Sequence, residues 1–109
     1  MIETEYVAPR NIGQLFESIQ GRAGQVRFMA GCTNVLPNLR ARAISPRLLV
    51  DLTGIEKMAH IREDTRVISI GALTTMTDLA SSEIIRKGIP ILAAAARQLG
   101  NPLTRNRAT

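Results

Sequence analysis

The feature that most constrains this chain is a switch of hydrophobic period within its first half. From Asn11 to Gln20 the apolar residues Ile12, Leu15, Phe16 and Ile19 recur at helical spacing and define one face. Asn11 is suited to cap that helix, and Gly21 or Gly24 to stop it. The flanking runs have a different character. Residues 3–9 end in "EYVAP" and predict a short strand stopped by Pro9. "QVRFMA" predicts a mostly buried strand ending at Gly31, and "RLLVDL", Arg47 to Leu52, predicts another. Between them "NVLPNLRARA" predicts a short helix or irregular helical turn, its regularity limited by Pro37. Strand, helix, strand, turn and strand in succession imply a small βαβ-type unit of α/β class.

A second unit is expected from Gly54 onward, dividing the chain into 1–53 and 54–109. "MAHIRED" and "RVISIGA" read as two strands of a hairpin around Asp64-Thr65. "TTMTDLASSEIIRKG" then turns helical, with Thr75 or Thr77 and Ser82 as candidate caps. Pro90 suits a first helical position opening "PILAAAARQL", and Gly100 closes it. Ile91, Leu92, Ala95 and Leu99 are expected on its core face. The final "NPLTRNRAT" reads as a polar, basic loop, either a frayed tail or a cut.

Composition narrows the function classes. Hydrophobic residues make up 45% of the 109, too many for a disordered chain. With one Tyr, two Phe and no Trp, the core must rest on aliphatic residues. No apolar run approaches the roughly 18 residues of a membrane span, so no membrane partner is expected. "MIETEY" has acids where a secretory signal needs bases, and a single Cys makes no internal disulfide. Both fit a cytoplasmic protein. The net charge of +5 leaves three readings: an arginine-rich surface, a basic binding module for nucleic acid or acidic proteins, or an anionic ligand or acidic partner subunits. Nucleic acid is disfavoured, because the basic residues are spread from Arg10 to Arg107 and no aromatic lies beyond Phe28.

The stretch "RFMAGCTN" holds the chemistry. Cys32 follows a strand and precedes a possible helix, where a thiol can be activated. A nucleophile also needs a base, and the one histidine, His60, falls midway along a hairpin strand. A small packed thiol is the simpler reading, and no catalytic residue is assigned. The alternative is a backbone site. Small residues, Ala30 and Gly31, admit close approach of a ligand, and exposed N–H groups at such a turn bind anions. A plain strand-to-helix turn explains the same residues. Asp51 is placed to anchor the turn after its strand, Glu63-Asp64 forms a hairpin tip, and no metal-ligand spacing occurs.

Read together, "EYVAPRNIGQLFESI", "VRFMAGCTNVLPNLR", "PRLLVDLTGIEKMAHI", "VISIGALTTMTDL" and "IPILAAAARQLGNPLTRNRAT" resemble the FAD-binding medium subunit of molybdenum hydroxylases. The resemblance covers essentially the whole chain, in order. It implies a vanillyl-alcohol-oxidase-type FAD-binding fold of α/β (α+β) class. A small N-terminal α/β subdomain is followed by the beginning of a second, with antiparallel strands and helices. It implies an oxidoreductase component that passes electrons between iron–sulfur clusters of a small subunit and an external acceptor, beside a molybdopterin large subunit. Two loops of the family hold the FAD pyrophosphate. The first, A-G-G-T-x, falls on Ala30, Gly31, Cys32, Thr33 and Asn34, with Met29 and Val35 lining it and Arg27 reaching a phosphate. The second, T-I-G-G-N, begins at Thr109, and Leu99 falls near the cofactor. Cys32 replaces the second glycine of the first loop, where its side chain is expected to crowd the phosphate or to strain the backbone. The chain is expected to be an N-terminal fragment that binds FAD weakly or not at all by itself. Self-association through exposed strand edges is a further expectation.

Overall fold

The computed structural model describes residues 3–109; Met1 and Ile2, part of the stretch weighed as a signal peptide, lie outside the described residues. The chain divides into two compact units, Met1–Glu56 and Lys57–Thr109.

The first unit is organised by its last strand. β1 (Glu5–Val7), β2 (Val26–Met29) and β3 (Leu48–Asp51) form a parallel sheet in the order β1-β3-β2. Tyr6 and Arg27 both stand opposite Leu49, from the two sides of β3. A strand with neighbours on both edges can be covered on both faces, which is why "LLVD" is nearly all apolar. Leu48 and Val50 are fully buried, each worth about 1.5–3 kcal/mol of burial. The predicted helix is α1 (Ile12–Ile19), capped by the Asn11 side chain accepting from Gln14 N–H at 2.8 Å. Gly21, at φ +73, takes the chain out of it. Only part of the expected face is covered: Leu15 is buried, Ile19 is half-buried and Phe16 is 63% exposed. α2 (Val35–Arg40) tolerates Pro37 because it lies in the first turn, where a backbone N–H has no helical partner.

In the second unit β4 (Ile61–Glu63) and β5 (Ile68–Ile70) form the expected antiparallel hairpin. Asp64 shapes its turn: Oδ1 accepts from Arg66 N–H at 2.8 Å and Val67 N–H at 2.9 Å. These two bonds hold its carboxyl below the usual range. The helical stretch after the hairpin is broken in two, α3 (Met76–Ser81) and α4 (Glu83–Gly88). Thr75 opens α3 in a reciprocal capping box with Asp78, and the extended residue Ser82 opens α4 by accepting from Ile85 N–H. α5 (Pro90–Gln98) begins at Pro90 as expected.

Three expectations are corrected here. The core face of α5 carries Ala93 and Ala96, with Leu92 half-buried, while Ile91 is 80% exposed and Ala95 and Leu99 face outward. Four consecutive alanines give the helix no sharp apolar stripe, and two small buried side chains let α3 and α4 pack closely, around Leu79 and Ile85. His60 lies just before β4 rather than midway along a strand, its Nδ1 hydrogen bonded to Lys57 O at 2.8 Å. The "NPLTRNRAT" segment is not a frayed tail. It contains α6 (Pro102–Arg105), capped by Asn101, and Ala108 is buried with its carbonyl accepting from Met76 N–H at 2.8 Å. One position in this unit admits only glycine: a Cβ at Gly71 would overlap the Met58 carbonyl.

Candidate functional site

The carboxyl end of a parallel sheet is where α/β proteins place ligands, since successive loops converge there. In the first unit that end carries the turn after β2. Leu52 N–H donates to Met29 O at 2.9 Å and fastens the turn's base to the end of β3. Its far side is held by Asn38, whose Nδ2 donates to both the Asn34 carbonyl and Asn34 Oδ1 at 3.0 Å. Between these anchors Cys32 has φ +64, in the left-handed region. The expectation of backbone strain at this residue is therefore met, because a Cβ disfavours that conformation. Its half-buried thiol donates to the Ala30 carbonyl at 3.7 Å, a weak sulfur bond. Among the described residues the backbone N–H groups of Cys32, Thr33 and Asn34 donate no hydrogen bond. Thr33 and Asn34 are exposed. Three successive donors without acceptors among the described residues, in a turn that contains a left-handed residue, are available to an oxyanion.

A second group at the same end of the sheet was not foreseen. Tyr6 Oη donates to Asp51 Oδ2 at 2.5 Å, tying the middle of β1 to the end of β3. Asp51 Oδ1 accepts from Thr53 N–H at 2.9 Å and Thr53 Oγ1 at 2.6 Å, the turn anchor expected of Asp51. Partial burial pushes the Asp51 carboxyl up, but the bonds from Thr53 and Tyr6 outweigh it and hold the group below the usual carboxylate range. The hydrogen bond to Asp51, then desolvation and the charges of Asp51 and Cys32, push the Tyr6 phenol above its ordinary value. Tyr6 Oη, Thr53 N–H and Thr53 Oγ1 together satisfy the Asp51 carboxylate in its charged form. The sequence signal was a charged residue closing an apolar strand and a lone Tyr on β1, but their partnership spans 45 positions.

The remaining site residues are not all gathered. Met29 and Val35 are half-buried on either flank of the turn. Arg27 is not brought to it: its Nη1 donates to the Val26 carbonyl at 3.3 Å, and the side chain lines a cleft at the sheet's amino end. Leu99, 44% exposed, and the exposed Thr109 belong to the second unit. So does the single histidine, and the first unit therefore offers Cys32 no imidazole base. No group of His, Cys, Asp and Glu among the described residues could hold a metal ion. None of their helices is long and apolar enough to cross a membrane.

Residues 2–109 match the family described as the FAD binding domain in molybdopterin dehydrogenase. The chain belongs to that family. Among relatives of this FAD-binding domain, the carbon monoxide dehydrogenase medium chain of Hydrogenophaga pseudoflava is 34% identical over 105 residues, covering 96% of this chain and 37% of the relative. The xanthine dehydrogenase FAD-binding subunit of Escherichia coli O157:H7 is 33% identical over 86 residues, covering 78% of this chain and 30% of the relative. A solved carbon monoxide dehydrogenase from H. pseudoflava, which lacks the Mo-pyranopterin moiety of its cofactor, superposes with a TM-score of 0.90 at 34% identity, over 98% of this chain and 37% of that one. The mixed α/β fold is thus that of a molybdenum-hydroxylase FAD-binding domain. The chain spans a little over a third of the length of such relatives. The turn's three unengaged N–H groups fit a diphosphate such as the one in FAD. Cys32 keeps a left-handed conformation that glycine would adopt freely.

Proposed function

We propose that this chain is part of the FAD-binding component of a molybdenum-hydroxylase-type oxidoreductase in the cytoplasm. It would serve beside an iron–sulfur small subunit and a molybdopterin large subunit. Bound FAD would supply the redox chemistry, taking electrons from the iron–sulfur clusters and giving them to an external acceptor. The chain's own part is to hold and orient the cofactor. The observation that carries the reading is the row of unengaged N–H groups at Cys32, Thr33 and Asn34, at the carboxyl end of a parallel sheet. Ala30, Gly31, Met29 and Val35 shape the turn around it. Arg27 has no support in this role, because its guanidinium lies with the opposite end of the sheet. The alternative reading, a basic non-enzymatic binding module for nucleic acid or acidic protein partners, gains nothing from the relatives.

Amide NMR titration with ADP, which carries the diphosphate without the flavin, tests the reading. The signals of Cys32, Thr33 and Asn34 are expected to move together, in weak, fast exchange. ADP that leaves those three amides unmoved while binding elsewhere would refute the site. FAD is expected to bind this chain weakly, as ADP does, because the turn offers the diphosphate three backbone N–H groups and Arg27 is turned away from it. Flavin that co-purifies at one per chain would contradict that.

A further inference from the structure

Arg27 is left over from the cofactor site, and its surroundings give it another use. Its side chain lines a cleft of about 270 Å³ with Gly24, Gln25, Val26 and residues 43–46. The parallel register, Val26 opposite Leu48, puts this cleft at the amino end of the sheet, away from the turn at 30–34. Its walls are polar. Arg27 has no carboxylate within 4 Å among the described residues, and its one bond is to its neighbour's carbonyl. Ser45 also lines the cleft and is exposed, and among the described residues its hydroxyl donates no hydrogen bond.

The sequence around the cleft is charged in one sense only. From Ser18 to Val50 there is no Asp or Glu, while Arg22, Arg27, Arg40, Arg42 and Arg47 all fall there. Only Arg22 is paired, with Glu5 at 2.7 Å, and the other four are exposed. Two carboxylates reach this end of the sheet on or beside β1: Glu5, which is taken up by Arg22, and the exposed Glu3, next to Thr4, whose hydroxyl donates to Pro46 O at 2.8 Å. Four unpaired arginines outnumber them, and a polar recess with that excess of positive charge suits an anion. Its size and lining decide which. At about 270 Å³ it falls below the roughly 300–1,000 Å³ of small-molecule sites, and no aromatic lines it to stack a base. It has room for a side-chain carboxylate and a few waters.

We infer that this cleft is a docking point for an acidic segment of a partner polypeptide, with Arg27 and Ser45 receiving one carboxylate and the neighbouring arginines steering its approach. The inference rests on the proposed role as one subunit of a complex, and it uses a different end of the sheet from the cofactor turn. A planar guanidinium can take a carboxylate through two parallel bonds, so arginine suits the role better than lysine.

The test is amide NMR of the chain with a blocked peptide of alternating Asp and Glu. Parallel titrations use inorganic phosphate, a short oligonucleotide and ADP. The peptide is expected to shift residues 24–27 and 43–46, and to bind several-fold more weakly as salt rises from about 50 to about 200 mM. Arg27→Gln should weaken it about 2- to 5-fold, the scale of one solvated ion pair, and Arg27→Glu further. Ser45→Ala should weaken it less than either. Peptide shifts scattered over the arginines, or affinity unchanged in Arg27→Glu, would overturn the inference. So would phosphate or oligonucleotide filling the cleft when the peptide does not. The ADP titration reports residues 32–34 separately, so failure of the cofactor reading and failure of the docking reading give different spectra.

Discussion

Cys32 offers a direct measurement of what the anion turn demands of its backbone. At φ +64 it sits where a residue with a Cβ costs about 1–2 kcal/mol. Glycine removes that cost but brings a more flexible unfolded chain, which takes back about 0.4–1 kcal/mol. Comparing Cys32→Gly with wild type mixes these effects with loss of the half-buried thiol and its contact to Ala30. Comparing Cys32→Gly with Cys32→Ala does not, because both lack the sulfur and only one keeps the Cβ. The glycine variant should therefore be more stable than the alanine variant by about 0.5–1 kcal/mol. In a chain of this size that is a difference of a few degrees, on the order of 3–6 °C, in thermal midpoint. Urea melts followed by circular dichroism, at equal m-values, give the free-energy difference. An alanine variant as stable as the glycine variant would show that the left-handed conformation is not enforced in solution. The same pair tests crowding of the phosphate. Cys32→Gly is expected to bind ADP several-fold more tightly than wild type, and equal affinity would mean that the sulfur lies clear of the anion.

The sole tyrosine makes the Tyr6–Asp51 bond visible by itself. Alkaline titration of tyrosinate absorbance should place the Tyr6 midpoint above the ordinary value near 10, and Asp51→Asn should lower it; an unchanged midpoint refutes the bond. Acid stability follows from three carboxyls held low: Glu5 by Arg22, Asp64 by its turn, and Asp51 by Thr53 and Tyr6 against partial burial. A depressed folded-state pKa stabilises the fold above the unfolded value, so stability should fall as pH drops through about 4 and below, and a flat profile there would contradict the pairings. Gly71→Ala should destabilise the second unit by at least about 2–3 kcal/mol, because the added methyl meets the Met58 backbone rather than a movable side chain. A melt unchanged within about 0.5 kcal/mol would show that the β4 entry gives way easily.

Local chemistry was the legible part of this structure. Asn11, Thr75, Ser82 and Pro90 start helices where their hydrogen-bonding and φ preferences say they should, and Asp64 makes its turn with its own side chain. Asn101-Pro102 carried the same cap signal, but the polar residues after it masked a four-residue helix. What could not be read depends on distant partners. α5 is apolar over so much of its surface that only the packing of α3 and α4 selects Ala93 and Ala96 over Ile91. Along a strand, spacing says that Arg27 and Phe28 point to opposite faces, not to which end a long side chain will lean. The resemblance covers the turn at 30–34 residue by residue, whereas the Tyr6–Asp51 bond leaves no local signature because it joins residues 45 positions apart.

The order β1-β3-β2 also sets a timetable. As the chain leaves the ribosome, β1 and β2 emerge with no neighbour to pair with, since the strand that separates them is made last. Neither can lock its register until Leu48–Asp51 appears and inserts between them. The entropy of closing such long loops grows slowly with length, so stability suffers little, but the rate of folding falls as contacts become less local. Leu48 and Val50 are then the residues on which assembly of the first unit waits, whereas the hairpin and helices of the second unit close mostly over short distances. The turn at 30–34, strung from β2, can take its final shape only after that insertion.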